Sequence, residues 1–379
     1  MATEIHGLCD LKFEELGEVF QNNFDQGHEC GASLAVTVDG ELVVDLWGGH
    51  ADPKKTRPWQ EDTVVLVFSS TKFAVSLCSH LLIERGLLDI DKPVYYYWPE
   101  FAAGGKDKAL VRHLYTHSAG VPGFDPPIPF ATRYDWEAIT AAIANQVAWW
   151  EPGTQGGYHG GTYGEIMGEL VRRITGQTIG QFFENEITTK VGADFQIGFD
   201  MTQRSRLAST IPIPPEEVEQ ATPGTMPWKV QRSSLPPAWE DPQCLTSEMP
   251  SMNGITGARG LAQIAAIYAM NGELNGHRFL SPATIDRVLT EHSYYDDVLF
   301  GMPFRLGLGV GLNSREFDCP SDGSLHWGGA GGSFVIADRN HRVSIGYAMN
   351  RMLPGKVDDP RNQPLRRAFN RIVTGGRGR

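Results

Sequence analysis

Strand-like alternation stands at both ends of this chain and helical periodicity between them, an arrangement that restricts the fold more than any other feature. Near the amino end, "ASLAVTVDGELVVDLWGG" alternates apolar and polar residues around Asp39-Gly40, the pattern of a tight β-hairpin. Just before it, Phe13, Leu16, Val19, Phe20 and Phe24 recur at helical spacing. Near the carboxyl end, "RLGLGVGL", "SFVIAD" and "RVSIGYAM" read as three more strands, the last two joined by a polar turn at Arg339-Asn340, ahead of a closing helix around "PLRRAFNRIV". The middle turns helical, with "SSTKFAVSLCSHLLIERGLL", "TRYDWEAITAAIANQVAWW", "TYGEIMGELVRRITG" and "TIGQFFENEITTKV" carrying apolar residues three and four apart. The pattern predicts α/β plus all-α architecture: a discontinuous α/β domain over 1–68 and 250–379, and a mainly helical domain over 69–249 inserted into it. Residues 211–250 form a Pro-rich irregular stretch, of the kind that usually covers or walls a site. Clefts between two such lobes are favoured places for ligands.

Composition narrows the function classes. At 379 residues the chain is long enough to exclude water from a site, and its formal charge of −12 argues against nucleic acid or an anionic membrane as partner. No apolar run reaches membrane-spanning length, and the amino end lacks a basic segment followed by an apolar one, so a cytoplasmic location is expected. The five cysteines are scattered without a C-x-x-C, and the eleven histidines form no metal-ligand pattern. Neither a disulfide framework, a metal nor a cofactor is implied.

Three stretches carry chemistry. In "FSSTKFAVSLCSHLLIERG", Ser69 and Lys72 stand three apart where a loop gives way to an apolar helix, so both are placed in its first turn with the amine beside the hydroxyl. A cation at a helix N-terminus is electrostatically misplaced, and burial would lower its pKa further, making it a proton acceptor. Alone, the pair would more simply be a solvated Ser and Lys. In "WWEPGTQGGYHGGTYGEIMGEL", Tyr158 is held by glycines rather than by apolar neighbours. Beside an ammonium its phenol is expected to ionise at moderate pH and act as base or relay, with Tyr163 a rival and a packing tyrosine the plainer reading. In "SLHWGGAGGSFVIAD", clustered glycines next to a strand suggest close backbone approach and N–H groups turned toward an oxyanion, the plainer reading being a bulged edge strand.

Taken in order, these stretches resemble the motifs of the serine β-lactamase and penicillin-binding-protein superfamily, in the class C-like branch that contains the family VIII carboxylesterases. The matching positions are Ser69 to Lys72, the "YHG" of Tyr158 to Gly160, and the "HWG" of His326 to Gly328, with "LYTHSAGVPGF", "WEPGT", "NGITGARGLAQIAAI" and "GYAMNRM" in support. The resemblance covers most of the chain and implies a β-lactamase-like fold, an antiparallel sheet flanked by helices with the active site between the lobes. It also implies acylation of Ser69 by a carbonyl substrate, Lys72 and Tyr158 sharing the proton transfers, and an oxyanion held by the N–H groups of Ser69 and Gly329. Which of Lys72 and Tyr158 takes the serine proton is left open.

Two departures bear on the substrate. Gly160 lacks the side-chain amide that meets a β-lactam's acylamino group, and His326-Trp327 replace a Lys-Thr suited to a carboxylate with a titratable imidazole and an indole. A Trp-Gly-Gly third motif is shared with the family VIII esterases, which implies a small or short-chain carboxylic ester as substrate and makes a carboxylesterase the first expectation. A β-lactamase or D,D-peptidase, an acyltransferase of the same fold and a catalytically silent scaffold follow it. An α/β-hydrolase is disfavoured, because the chain holds no G-x-S-x-G strand-turn-helix elbow and Gly31-Ala32-Ser33-Leu34-Ala35 falls in a strand. Phe124, Trp150, Trp228 and Tyr134 are candidates to line the cleft, His117 and His159 to make structural hydrogen bonds, and Glu165 and Glu169 form a carboxylate pair without assigned chemistry.

Overall fold

The computed structural model describes residues 2–233, 239–354 and 359–376. The hairpin forms as expected: β2 (Gly31–Val38) and β3 (Glu41–Gly49) pair antiparallel, and Asp39 and Gly40 both take positive φ, 52° and 86°, as a twist-matched two-residue turn requires. Ahead of it lies a strand the alternation did not reveal, β1 (Ile5–Cys9), which pairs with β3. Its pattern is weak because it is an outer strand with a largely exposed surface.

Six further strands complete one sheet: β4 (Ser293–Asp297), β5 (Met302–Leu306), β6 (Gly311–Leu312), β7 (Ser324–Gly328), β8 (Phe334–Asp338) and β9 (Val343–Met349). The order is β1-β3-β2-β9-β8-β7-β6-β5-β4, antiparallel throughout. The two ends of the chain therefore meet at the β2–β9 pair, with Ala35 opposite Gly346. "RLGLGVGL" is not one strand: Gly307 to Val310 fold back, with Gly309 at φ 68°, and divide it between β5 and β6.

Both sheet faces are covered. Helices α1 (Glu14–Asp25) and α5 (Asn362–Thr374) bury Leu16, Phe20, Phe24, Leu365 and Phe369 against Ile345, Tyr347 and Ile336. On the other face, α4 (Ala258–Ala269) approaches so closely that a side chain at Gly346 would run into the carbonyl of Ala258. Strand β9 is thus buried at every position, and its alternation of large and small residues sorts them between the two helical layers. Helix α2 (Thr71–Glu84) is buried from Thr71 to Ile83, inside the largest apolar cluster, which runs from the middle helices through α4 to the sheet. That burial places its amino end beside β7. Among the described residues, no helix is long and apolar enough to cross a membrane.

Candidate active site

Ser69 lies just outside α2, not in its first turn as the spacing predicted: Ser70 is the N-cap and Thr71 the first helical residue. The reason is Phe68, whose φ of 48° is unfavourable for a bulky side chain and turns the chain sharply before the serine. Neighbours hold it there. Thr71 Oγ1 donates to the Phe68 carbonyl at 2.5 Å and accepts from the Gly254 N–H at 2.8 Å, and the Phe68 ring packs edge-on against Trp239 at 5.0 Å. A strained residue fixed from several sides next to a hydroxyl is a common mark of a functional turn.

Lys72 is wholly buried. Its Nζ donates to the carbonyls of Gly160 at 2.8 Å and Ser251 at 2.6 Å and stands 3.1 Å from Ser69 Oγ. Burial pulls its pKa down to about 7, the Glu165 carboxylate opposes that shift, and Arg133 adds to it. The expected direction holds, with desolvation as its main cause. A neutral amine has two N–H groups and one lone pair. With two carbonyls taking the N–H groups, the lone pair is left for the Ser69 hydroxyl.

Tyr158 meets Ser69 and Trp327 as side-chain hydrogen-bond partners, yet burial raises its pKa rather than lowering it. The expected ionisation at moderate pH is therefore corrected: desolvation outweighs the ammonium, whose Nζ sits 5.0 Å from the phenol ring centroid. Tyr163 is removed from the site, its hydroxyl sharing a 2.7 Å hydrogen bond with Ser76 Oγ one turn along α2. His159 is structural in its contacts, accepting from Val121 N–H at 3.1 Å and bonding the Gly157 carbonyl at 2.6 Å. His117 packs on the Tyr158 ring at 5.0 Å.

The third motif divides between the two faces of β7. Trp327 turns toward Tyr158, whereas His326 stacks on Phe317 with ring centroids 3.6 Å apart. Burial holds the His326 pKa down to about 3, so the expected titratable imidazole is a neutral one near pH 7. The oxyanion expectation at Gly329 also fails. Its N–H donates to the Ser333 carbonyl at 2.8 Å, because the β7–β8 ladder continues one residue beyond the Gly328–Phe334 pair. Gly329 is needed instead for close approach: any side chain there would strike the Val67 carbonyl and Ser333 Oγ. The chain then turns through Ala330–Gly332, with Gly331 at φ 80°. Among the described residues, the N–H groups of Ser69 and Ala330 have no hydrogen-bond acceptor.

These groups border a cavity of about 340 Å³. Ser69, Tyr158, Trp327, Gly328, Gly329 and Ala330 line one side; Phe300, Met302, Phe304, Phe317 and Phe334 supply apolar wall, with Asp359, Asn362 and Arg366 also on the lining. Of the expected pocket residues, His326, Trp327 and Gly328 lie on this lining, whereas Phe124, Trp150, Trp228 and Tyr134 do not. Phe124 is buried beneath the Arg133 guanidinium, Trp150 is turned to the Ser118 carbonyl, Trp228 sits under Arg232, and Tyr134 packs on Phe130. No described residue of the Pro-rich stretch lines the cavity; Trp239 and Leu245 join the apolar cluster around Phe68, and 234–238 lie outside the described residues. The missed signal was "FGMPF": Phe300, Met302 and Phe304 stand two apart, the period that puts side chains on one face of an extended segment.

Comparison with known proteins bears on the family and the fold. Residues 16–368 match the family model described as Beta-lactamase. A protein of Mycobacterium tuberculosis named esterase/beta-lactamase LipL is 28% identical over 373 residues, which cover 92% of this chain and 83% of the relative. A solved structure described as a family VIII carboxylesterase superposes with a TM-score of 0.91 at 34% identity, covering 97% of this chain and 100% of the other. A penicillin-binding protein homolog from Caulobacter crescentus superposes with a TM-score of 0.90 at 32% identity, with the same coverage.

Proposed function

The chain belongs to the beta-lactamase family, and from that membership we propose that it is a carboxylesterase that cleaves small or short-chain esters through an acyl-enzyme on Ser69. The carrying observation is the Ser69–Lys72 contact of 3.1 Å, made by a buried lysine whose other two hydrogen bonds go to carbonyls, at the edge of an aromatic cavity. Neutral Lys72 takes the Ser69 proton as Oγ bonds to the ester carbonyl carbon. The N–H groups of Ser69 and Ala330 receive the oxyanion, a contribution of about 2.7–4 kcal/mol per donor in comparable sites. Collapse breaks the bond to the alcohol oxygen, which takes the phenolic proton of Tyr158. The Lys72 ammonium restores that proton, and water then repeats the sequence on the acyl-enzyme.

The substrate class follows from what Gly160 and His326 do not supply, while Arg366, a cation on the lining, is packed over the Phe317 ring. Gly160 has no side-chain amide to meet an acylamino group, a Cβ there being in contact with the Tyr158 ring at 3.5 Å, and neutral His326 faces Phe317 where a fixed cation would meet a carboxylate. An ester needs neither contact. A reducing, cytoplasmic location is part of the proposal, supported by five unpaired cysteines.

The likeness to a penicillin-binding protein homolog favours a second reading, in which Ser69 is acylated by β-lactams. Both readings are separated by measuring p-nitrophenyl ester hydrolysis across chain lengths with nitrocefin in parallel, for the wild type and Ser69→Ala. The expected result is short-chain ester turnover that vanishes with Ser69→Ala. Nitrocefin hydrolysis far exceeding ester hydrolysis would overturn the ester assignment, and activity surviving Ser69→Ala would overturn the nucleophile.

A further inference from the structure

Behind Lys72 lies a charged pair for which the acylation chemistry gives no direct use. Arg133 and Glu165 have side chains only 1% exposed and stand 3.7 Å apart, Nη1 to Oε1, which is too far for a hydrogen bond. Arg133 Nη2 and Glu165 Oε1 are left without hydrogen-bond partners. A buried, imperfectly satisfied ion pair is a poor way to stabilise a fold, since apolar residues of similar volume commonly do as well or better. Stability alone therefore does not account for the pair.

The contacts supply one. Arg133 Nη1 donates to the Gly161 carbonyl at 2.5 Å, next to the Gly160 carbonyl that receives Lys72 Nζ. Glu165 accepts from the hydroxyl of Ser251, whose carbonyl receives the other Lys72 N–H. The Ser251 hydroxyl also accepts from the Gly164 N–H at 2.8 Å. Each member of the pair thus anchors the residue, or the neighbour of the residue, that aims one Lys72 hydrogen bond. We infer that Glu165 and Arg133 are positioning residues for the general base, holding the two carbonyls that direct the Lys72 lone pair at Ser69 and acting on its charge with opposite signs.

The surroundings leave that balance to these two groups. From α3 (Tyr163–Thr175) comes Glu165, from the turn Phe130–Tyr134 Arg133, from the glycine loop Tyr158 and His159, and from the loop after Tyr115 His117. Burial holds both histidines below their ordinary pKa and the phenol above its own, so all three are neutral near pH 7. Glu165 favours the ammonium of Lys72, and Arg133 disfavours it. Glu169, one turn further along α3, is bound instead by Arg172, Arg173 and the Trp136 indole.

The inference rests on Ser69–Lys72 being the acylating pair, and its test avoids ester turnover. The rate at which a fluorophosphonate modifies Ser69 is followed against pH for the wild type, Glu165→Gln and Glu169→Gln. Phosphonylation requires neutral Lys72, so the rate rises with pH through the lysine pKa. Removing the Glu165 charge destabilises the ammonium, and the midpoint is expected to fall by about one pH unit, with Glu169→Gln unmoved. Should Glu165→Gln fail to fold, Ser251→Ala keeps the carbonyl but loses the tether, and its midpoint is expected to fall as well. An unmoved midpoint in the folded variant, or an equal shift in Glu169→Gln, overturns the inference. A wild type that is labelled at Ser69 yet leaves every ester intact overturns the ester assignment instead.

Discussion

At the scale of single residues, the chemistry depends on which hydrogen-bonding groups are free. Lys72 spends two N–H groups on carbonyls and keeps a lone pair; Gly329 spends its N–H on a strand ladder and keeps nothing; Ala330, one residue later, keeps its own. That last assignment can be tested with one atom. Ala330 opens the turn Ala330–Gly332, a first helical position where proline fits, and Gly329 before it has φ −117° and ψ 152°, the extended conformation that proline demands of its predecessor. Ala330→Pro should therefore fold normally while losing the donor, and kcat should fall by roughly 10²–10³-fold. An unchanged kcat with an unchanged melting temperature would show that the oxyanion does not use this N–H. The candidate serine, lysine and tyrosine were picked out by the ordered set of motifs, since each alone has a plainer reading. The donor was not legible, because a backbone N–H has no letter of its own and its freedom is decided by where a ladder stops.

Elements explain both the successes and the errors of sequence reading. Long, strongly patterned pieces such as α1, α2 and the β2–β3 hairpin were readable, since their periodicity is the imprint of a buried face. The pieces that failed were short or lay at an edge: β1, β4, and the β5–β6 pair interrupted by Gly307 and Gly309. Those outer strands are also where the substrate wall was missed. Phe300, Met302 and Phe304 take their position from the β4–β5 pairing, so their role could not be ranked above that of Phe124 or Trp150 before the register was known. Phe304 packs against Trp327 at 5.6 Å and Phe300 at 6.0 Å, closing the cavity beside the third motif. Phe304→Ala should lengthen the tolerated acyl chain, raising the ratio of octanoate to acetate kcat/KM by at least about tenfold, since each added buried CH₂ is worth about 0.8 kcal/mol. A p-nitrophenyl ester series measures this ratio, and an unchanged profile would remove Phe304 from the acyl wall.

For the molecule as a whole, the decisive event is the meeting of chain ends that the sequence separates by the whole helical insert. Beyond the β2–β9 ladder, a buried cluster joins them: Arg361 donates to Glu29 at 3.2 Å, to Asp359 at 2.7 Å and to the Arg351 carbonyl at 2.7 Å, and Tyr347 donates to Glu29. Arg361 also donates to the Gly331 carbonyl, and Asn362 to that of Gly332 at 2.7 Å, so closure of the fold and placement of the turn bearing Ala330 are one event. Nothing in the local pattern around Arg361 announces this, because its partners are distant in sequence and its burial arises only once the ends have met. Arg361→Met removes the cation and leaves Glu29 and Asp359 facing each other in a buried site, which should cost about 3–5 kcal/mol. Neutralising one of the stranded carboxylates, in Arg361→Met/Glu29→Gln, should recover part of that loss. Urea unfolding of the two variants measures both quantities. Under conditions where each is fully folded, ester turnover should stay depressed even in the double variant, because the Gly331 carbonyl still lacks its anchor. Full recovery of turnover along with stability would mean that the cluster holds the fold together without aiming the turn.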